Sequence, residues 1–180
     1  QKKIKYFLIS FVDLFGVLRS KLVPAQAIKG MQKNGAGFAG FATWLDMTPA
    51  DADMFAIPDA DSLIQLPWNK EVGWLASDLW MGGKPVEASP RVMLKKQIKK
   101  LAQNNMILKS GVECEYFLIN QEGTAIADSR DNQSKPCYDQ MALMRQYDLI
   151  KEICDSMLKL GWNPYQNDHE DANGQFEMNW

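Results

Sequence analysis

Two glutamates one residue apart, Glu113 and Glu115, interrupt the apolar run Val112-Glu113-Cys114-Glu115-Tyr116-Phe117-Leu118-Ile119, and no other feature restricts the fold of this chain as tightly. The run is rich in β-branched, aromatic and aliphatic residues, so it reads as a strand. Side chains alternate across a strand, which sets Gly111, Glu113, Glu115 and Phe117 on one face and Val112, Cys114, Tyr116 and Leu118 on the other. A carboxylate is costly to bury unless a cation or a partner compensates it. Either this face is open to water, as acids on a half-exposed strand are, or positive charge sits over it. A second cluster bears on the choice. In His169-Glu170-Asp171-Ala172-Asn173-Gly174-Gln175-Phe176-Glu177, a loop between Glu170 and Glu177 can return both carboxylates to one region, with Gln175 on the face of Glu177. Glu113, Glu115, Glu170 and Glu177, with His169 as one possible nitrogen, form an oxygen-rich set suited to magnesium or manganese rather than zinc.

The remaining pattern predicts an α+β chain whose first part is mostly strands. Ile4 to Val12 and Val17 to Val23 read as a hairpin about Asp13-Leu14-Phe15-Gly16, ended by Pro24. Ala25 to Lys33 reads as a short helix, Asn34 to Gly40 as a glycine-rich loop, and residues 41 to 71 as loop with one strand near Ser62 to Leu66. Val72 to Trp80 reads as a strand before a Gly82-Gly83-Lys84-Pro85 turn. The clearest helix is Arg91 to Asn104, with Ser89 as N-cap, Pro90 at the first helical position and Val92, Leu94, Ile98 and Leu101 on its apolar side. Its lysines, at 95, 96, 99 and 100, read as a solvated face. After it come the acidic strand over 107 to 119, a loop through Pro136, a helix from about Asp139 to Leu160 ended by Gly161, and a strand over Asn163 to Trp180 interrupted at Asp171 to Gly174.

Several function classes are excluded or disfavoured. The 180 residues carry a formal charge of -2 with acids and bases interspersed, so no basic surface argues for nucleic acid. The three cysteines have unrelated spacings and fit free thiols in a reducing compartment. Gln1-Lys2-Lys3 followed by Ile4 to Val12 imitates a secretion signal, but Asp13 and Arg19 interrupt it, no small-residue cleavage site follows, and the apolar run is too short to span a bilayer. A start without methionine and an end at Trp180, beside the acidic cluster, lead us to expect a fragment. Gly35-Ala36-Gly37-Phe38-Ala39-Gly40 matches the dinucleotide-binding fingerprint in letters, but that motif needs a strand before it and a helix within it. His169 is the only histidine, which removes any His-pair or Ser-His-Asp mechanism from these residues. Asp51, Asp53, Asp59 and Asp61 lack the glycine and terminal glutamate of a calcium loop and read as solvated acids.

With these motifs in order, the chain resembles the glutamine synthetase family, in particular the bacterial type III-like branch that also contains gamma-glutamylmethylamide synthetases. The stretch from Val12 to Pro24 is similar to the family's opening hairpin, Asp53-Met54-Phe55-Ala56-Ile57-Pro58-Asp59 to its next landmark, and Lys84-Pro85 to Pro90-Arg91 to the approach to the catalytic domain. Gly111 to Leu118 and His169 to Glu177 are similar to its two metal-ligand motifs. The resemblance implies a β-grasp-like N-terminal domain over 1–88 and the beginning of the α+β catalytic domain over 89–180, in a cytoplasmic homo-oligomer built as a double ring with each active site between neighbouring subunits. It implies glutamate, ATP and ammonia or a small amine as substrates, no nucleic-acid or membrane partner, and two Mg2+ or Mn2+ ions per site. By position, Glu115, Glu170 and Glu177 would hold the metal nearer glutamate, and Glu113 the one at the nucleotide phosphates. The implied reaction is glutamine formation through γ-glutamyl phosphate, with the fragment alone inactive.

One position departs from the family. Where members carry an aspartate that helps bind ammonium, counting back from Asp53 places Ala39, an apolar group suited to a small alkylamine such as methylamine. A non-catalytic structural or sensor member is the third alternative, against which four intact acids argue.

Overall fold

The structure, a computed structural model, describes residues 3–180; Gln1 and Lys2, at the signal-like start, lie outside the described residues. Two compact units divide the chain, one ending at Leu108 and the other running Lys109–Trp180. Both combine helices with sheet.

The first unit opens with the expected hairpin, β1 (Tyr6–Val12) and β2 (Leu18–Pro24). Its turn is organised by one side chain. Asp13, only 1% exposed, accepts the Phe15 and Val17 N–H groups at 2.9 and 3.0 Å and the Arg19 Nε–H at 2.9 Å, while Gly16 takes φ 79°. A 3-10 turn, Ala25–Ala27, leads into α1 (Ile28–Asn34). The segment expected to be pure loop then contains a strand, β3 (Ala36–Phe38), paired with a second unforeseen strand, β4 (Met54–Pro58). Glycine masked β3, because Gly37 is a poor strand former in isolation and is extended here through its pairing with Phe55. A short β5 (Ile64–Gln65) falls inside the expected strand near 62 to 66.

The long strand β6 (Val72–Met81) ties the unit together. Its first half runs parallel to β1 and pairs with β5, and its second half pairs antiparallel with β4. The sheet order is β2-β1-β6-β4-β3, with β7 (Lys84–Pro85) folded back onto the end of β6. Ile9, Phe11, Val23, Met54, Ala56 and Leu79 form the core on one face. Then comes α2 (Pro90–Ala102). Ser89 sits at its N-cap as expected, but its hydroxyl makes no capping bond and is buried without a partner. Leu94 and Ile98 stay half-exposed, because α2 is fastened by charge: Arg91 reaches Asp78 at 2.9 Å and also Asp59, and Lys95 bonds Asp78 at 2.5 Å. Lys95 and Asp59 are therefore paired, not merely solvated.

In the second unit, β8 (Glu113–Phe117), β9 (Gln166–His169) and β10 (Gln175–Asn179) form an antiparallel sheet in the order β8-β10-β9. The acidic strand is thus shorter than 107 to 119, and the strand interrupted by a loop is borne out. The expected single helix is two, α3 (Gln140–Arg145) and α4 (Tyr147–Lys159), with Gln146 between them at φ -105° and ψ 11°. That backbone is off the helical region, so the hydrogen-bond ladder breaks there. The end of α4 follows the sequence: Gly161 at φ 78° donates to Leu158, and Trp162 to Met157, as glycine past a helix end permits. On the inner side, Ile150 and Met157 of α4 are buried, as are Phe176 and Met178 of β10, and Cys154 of α4 meets Asn167 of β9.

Candidate metal centre

Pairing register brings the acids together. In β10, Phe176 and Met178 are buried while Gln175 and Glu177 alternate with them and are half-buried on the other face. Glu177 lies directly opposite Glu115 of β8 and Asp168 of β9, and Asn179 lies opposite Glu113. Just beyond β9, the N–H of Glu170 donates to the Gln175 carbonyl at 2.9 Å, which keeps Glu170 beside the same face. Glu113, Glu115, Asp168, Glu170 and Glu177 are therefore neighbours on one side of a three-stranded sheet. Amides hold two of them: Gln175 Nε2 donates to Glu115 Oε2 at 2.6 Å, and Asn179 Nδ2 donates to Glu177 Oε1.

Like charges directly opposite across a sheet are destabilising, and two of these carboxyls, Glu170 and Asp168, hold their protons more tightly than usual. Glu170 holds its proton more tightly than an ordinary glutamate, first because it shares a hydrogen bond with Glu177 and second because it is partly desolvated. Asp168 is raised by burial and then by Glu177 and Glu113. One oxygen each from Asp168, Glu170 and Glu177 lies within 4.8 Å of the others, close enough to share an ion. A hard divalent cation fits this all-oxygen set and would reverse the repulsion. The buried Oδ1 of Asp168 and Oδ1 of Asn179 make no hydrogen bond within the protein.

Of the four sequence-derived residues, Glu115 and Glu170 flank Glu177, and Glu113 stands two positions further along β8, opposite Asn179. The tight group of three oxygens excludes Glu113 and Glu115 and includes Asp168, which the sequence reading passed over. Its signal was the alternation Asp168-His169-Glu170, acids two apart about a buried residue. His169 is not on the acidic face. It is fully buried and stacks edge-on against Phe176, with both ring nitrogens occupied. The glycine motif is no dinucleotide loop: α1 precedes it, Gly35 has φ 80°, and β3 fills its middle. Ala39 leads into a 3-10 turn at Gly40–Ala42 in the first unit.

Comparison with known proteins agrees with these motifs. The family model described as glutamine synthetase, catalytic domain, matches residues 87–180. A glutamine synthetase of Rhizobium leguminosarum bv. phaseoli is 64% identical over 99% of this chain and 41% of its own length. A glutamate–methylamine ligase of Methyloversatilis universalis is 42% identical over all of this chain and 42% of its own length. A solved structure of a GmaS/ADP complex superposes with a TM-score of 0.95 at 65% identity, covering 98% of this chain and 41% of that one. The chain thus spans about two fifths of the length of the relatives it matches. With just over half its residues matched by the family model and acids in register where the two motifs meet, the chain belongs to the glutamine synthetase family.

Proposed function

We propose that the protein is an ATP-dependent ligase that joins ammonia to the γ-carboxylate of glutamate, giving glutamine. The observation that carries this reading is the register that sets Glu115 and Asp168 on either side of Glu177, with Glu170 and Glu113 adjacent, on one sheet face where acids directly opposite one another repel. Glu115, Glu170 and Glu177 would hold one Mg2+ or Mn2+ and Glu113 would contribute to a second, with Asp168 close enough to Glu170 and Glu177 to share an ion with them. When bound, such ions supply charge that neutralises a triphosphate. Gln175 and Asn179 keep Glu115 and Glu177 oriented by their amide hydrogen bonds. The γ-phosphoryl group of ATP passes to the glutamate side-chain carboxylate. The amine then attacks the acyl carbon, a C–N bond replaces the C–O bond, and phosphate leaves. Water must be kept from the acyl phosphate meanwhile.

The second reading keeps the chemistry and changes the amine. Ala39 in place of an ammonium-binding aspartate and the 42% identity to a glutamate–methylamine ligase favour methylamine or another small alkylamine. The wider proposal comprises a β-grasp-like domain over 1–88, a catalytic domain beginning at 89, a double-ring homo-oligomer and a cytoplasmic location, with residues 1–180 inactive alone. Among the described residues no helix is long and apolar enough to cross a membrane.

Product analysis separates the readings. The intact protein, given glutamate, ATP and Mg2+ with an equimolar mixture of ammonia and methylamine, should release ADP and one dominant amide. Glutamine identifies the first reading and γ-glutamylmethylamide the second. Formation of neither amide overturns both.

A further inference from the structure

Behind the acidic face, one buried carboxylate grips both arms of the hairpin that carries Asp168, Glu170 and Glu177. Asp131, 4% exposed, belongs to neither acidic motif. Its Oδ2 accepts the backbone N–H of Gly174 at 2.6 Å and lies 2.6 Å from Nε2 of His169. The other ring nitrogen of His169, Nδ1, faces the Pro136 carbonyl at 2.6 Å; a carbonyl can only accept, so Nδ1 carries hydrogen and donates. The His169 backbone carbonyl accepts the Tyr138 N–H at 2.8 Å, and Asn173 Nδ2 donates to the Gln133 carbonyl at 3.2 Å. The segment from Asp131 to Tyr138 is thereby hydrogen-bonded to the hairpin at three residues, 169, 173 and 174, and within the hairpin the His169 ring meets Phe176 edge-on.

The placement is specific. His169 sits between Asp168 and Glu170 in sequence and points to the opposite side of the strand, so fixing its ring fixes where its two acidic neighbours emerge. Gly174 begins the return arm, one residue before Gln175 and three before Glu177. A single oxygen atom of Asp131 thus spans the two arms at the point where they diverge. Gly174 cannot be replaced in this role by a residue with a side chain, since it has φ 78° and a Cβ there would lie 2.6 Å from an Ile126 side-chain carbon.

We propose that Asp131, acting through His169 and the Gly174 N–H, is a positioning residue that sets the separation of the Glu170 and Glu177 carboxylates and so tunes the divalent-cation affinity of the site. This rests on the metal reading above. Groups that orient a ligand set from behind typically change metal affinity by about 10- to 100-fold when removed. Asp131 acts one bond further back than such groups, so we expect about tenfold.

The test measures Mn2+ binding to the intact protein from the free-ion electron paramagnetic resonance signal, for wild type, Asp131→Asn, His169→Gln and Ile150→Val. Ile150 lies in α4, 8% exposed, outside the hydrogen bonds made by Asp131 and His169, and its trimming is a mild destabilisation of the core. The expected result is a dissociation constant raised about tenfold in Asp131→Asn and His169→Gln, within the range for supporting residues, and unchanged in Ile150→Val. Equal affinity in wild type and the first two variants overturns the positioning role, because a merely structural carboxylate would behave as Ile150→Val does. Absence of Mn2+ binding in wild type overturns the metal reading itself and the inference with it. Should neither variant fold, wild-type amide exchange decides: coupling is reciprocal, so Mg2+ must slow exchange at Gly174 if Asp131 closure positions the ligands, and unchanged exchange refutes it.

Discussion

At the scale of single residues, Glu177 is the centre of the site because it faces an acid on each neighbouring strand. Two consequences of that crowding run in opposite directions. Glu177→Gln removes repulsion with Glu115, Asp168 and Glu170, and it should stabilise the metal-free protein by about 0.2–1 kcal/mol, the worth of one adverse cross-strand pair. It should also weaken Mg2+ binding, so thermal unfolding with and without Mg2+ gives a smaller metal-dependent rise in midpoint than wild type. A variant that loses stability without metal contradicts the repulsion argument. Glu115→Ala should abolish activity and leave folding intact, since Glu115 is exposed and its carboxylate accepts from Gln175 on the sheet surface; residual full activity in an ADP-release assay contradicts its assignment.

At the scale of elements, two turns carry defined chemistry. Burial opposes ionisation of Asp13, yet the Val17 and Phe15 N–H groups and Arg19 together hold its carboxyl below the ordinary aspartate range. A lowered folded-state value means that this carboxylate stabilises the hairpin above the ordinary aspartate range and loses that effect as pH falls from that range through the lowered folded-state value. Asp13→Asn should therefore unfold more easily than wild type at pH 7, with the gap in denaturant midpoint narrowing toward acid; a gap independent of pH contradicts the charge argument. Gly174→Ala should cost about 1–3 kcal/mol, the usual range for backbone strain at such a position, measured by chemical unfolding. The elements differ in how far the sequence disclosed them. The β1–β2 hairpin, α2, the end of α4 and the interrupted final strand were legible because Asp13-Leu14-Phe15-Gly16, Pro90, Gly161 and Gly174 are local signals. Strands β3 and β4 were not, since Gly37 joins a strand only through its pairing with Phe55, as Ala36 and Phe38 do through Ala56 and Met54. The break at Gln146 was hidden too, because 139 to 160 keeps a helical pattern throughout.

At the scale of the whole molecule, the acids that gather on one sheet face were more legible than the connections supporting them. Glu113, Glu115, Glu170 and Glu177 were readable from alternation and spacing, whereas Asp168 depends on the β9–β10 register and Asp131 lies 38 residues from the histidine it contacts. No local pattern encodes such a pairing. The first unit adds a separate structure in which Arg91 and Lys95 lock α2 to Asp59 and Asp78. The central claim is that acids aligned on the β8–β10–β9 sheet support metal-dependent amide formation. The most direct measurement is ADP release by the intact protein with glutamate and its preferred amine, wild type against Glu177→Gln, across a Mg2+ titration. Wild type should show release that requires both Mg2+ and amine, and Glu177→Gln should lose at least about 100-fold at Mg2+ levels that saturate wild type, as removal of a ligand implies. Amine-stimulated release that persists without divalent cation, or is unchanged in Glu177→Gln, would contradict the claim.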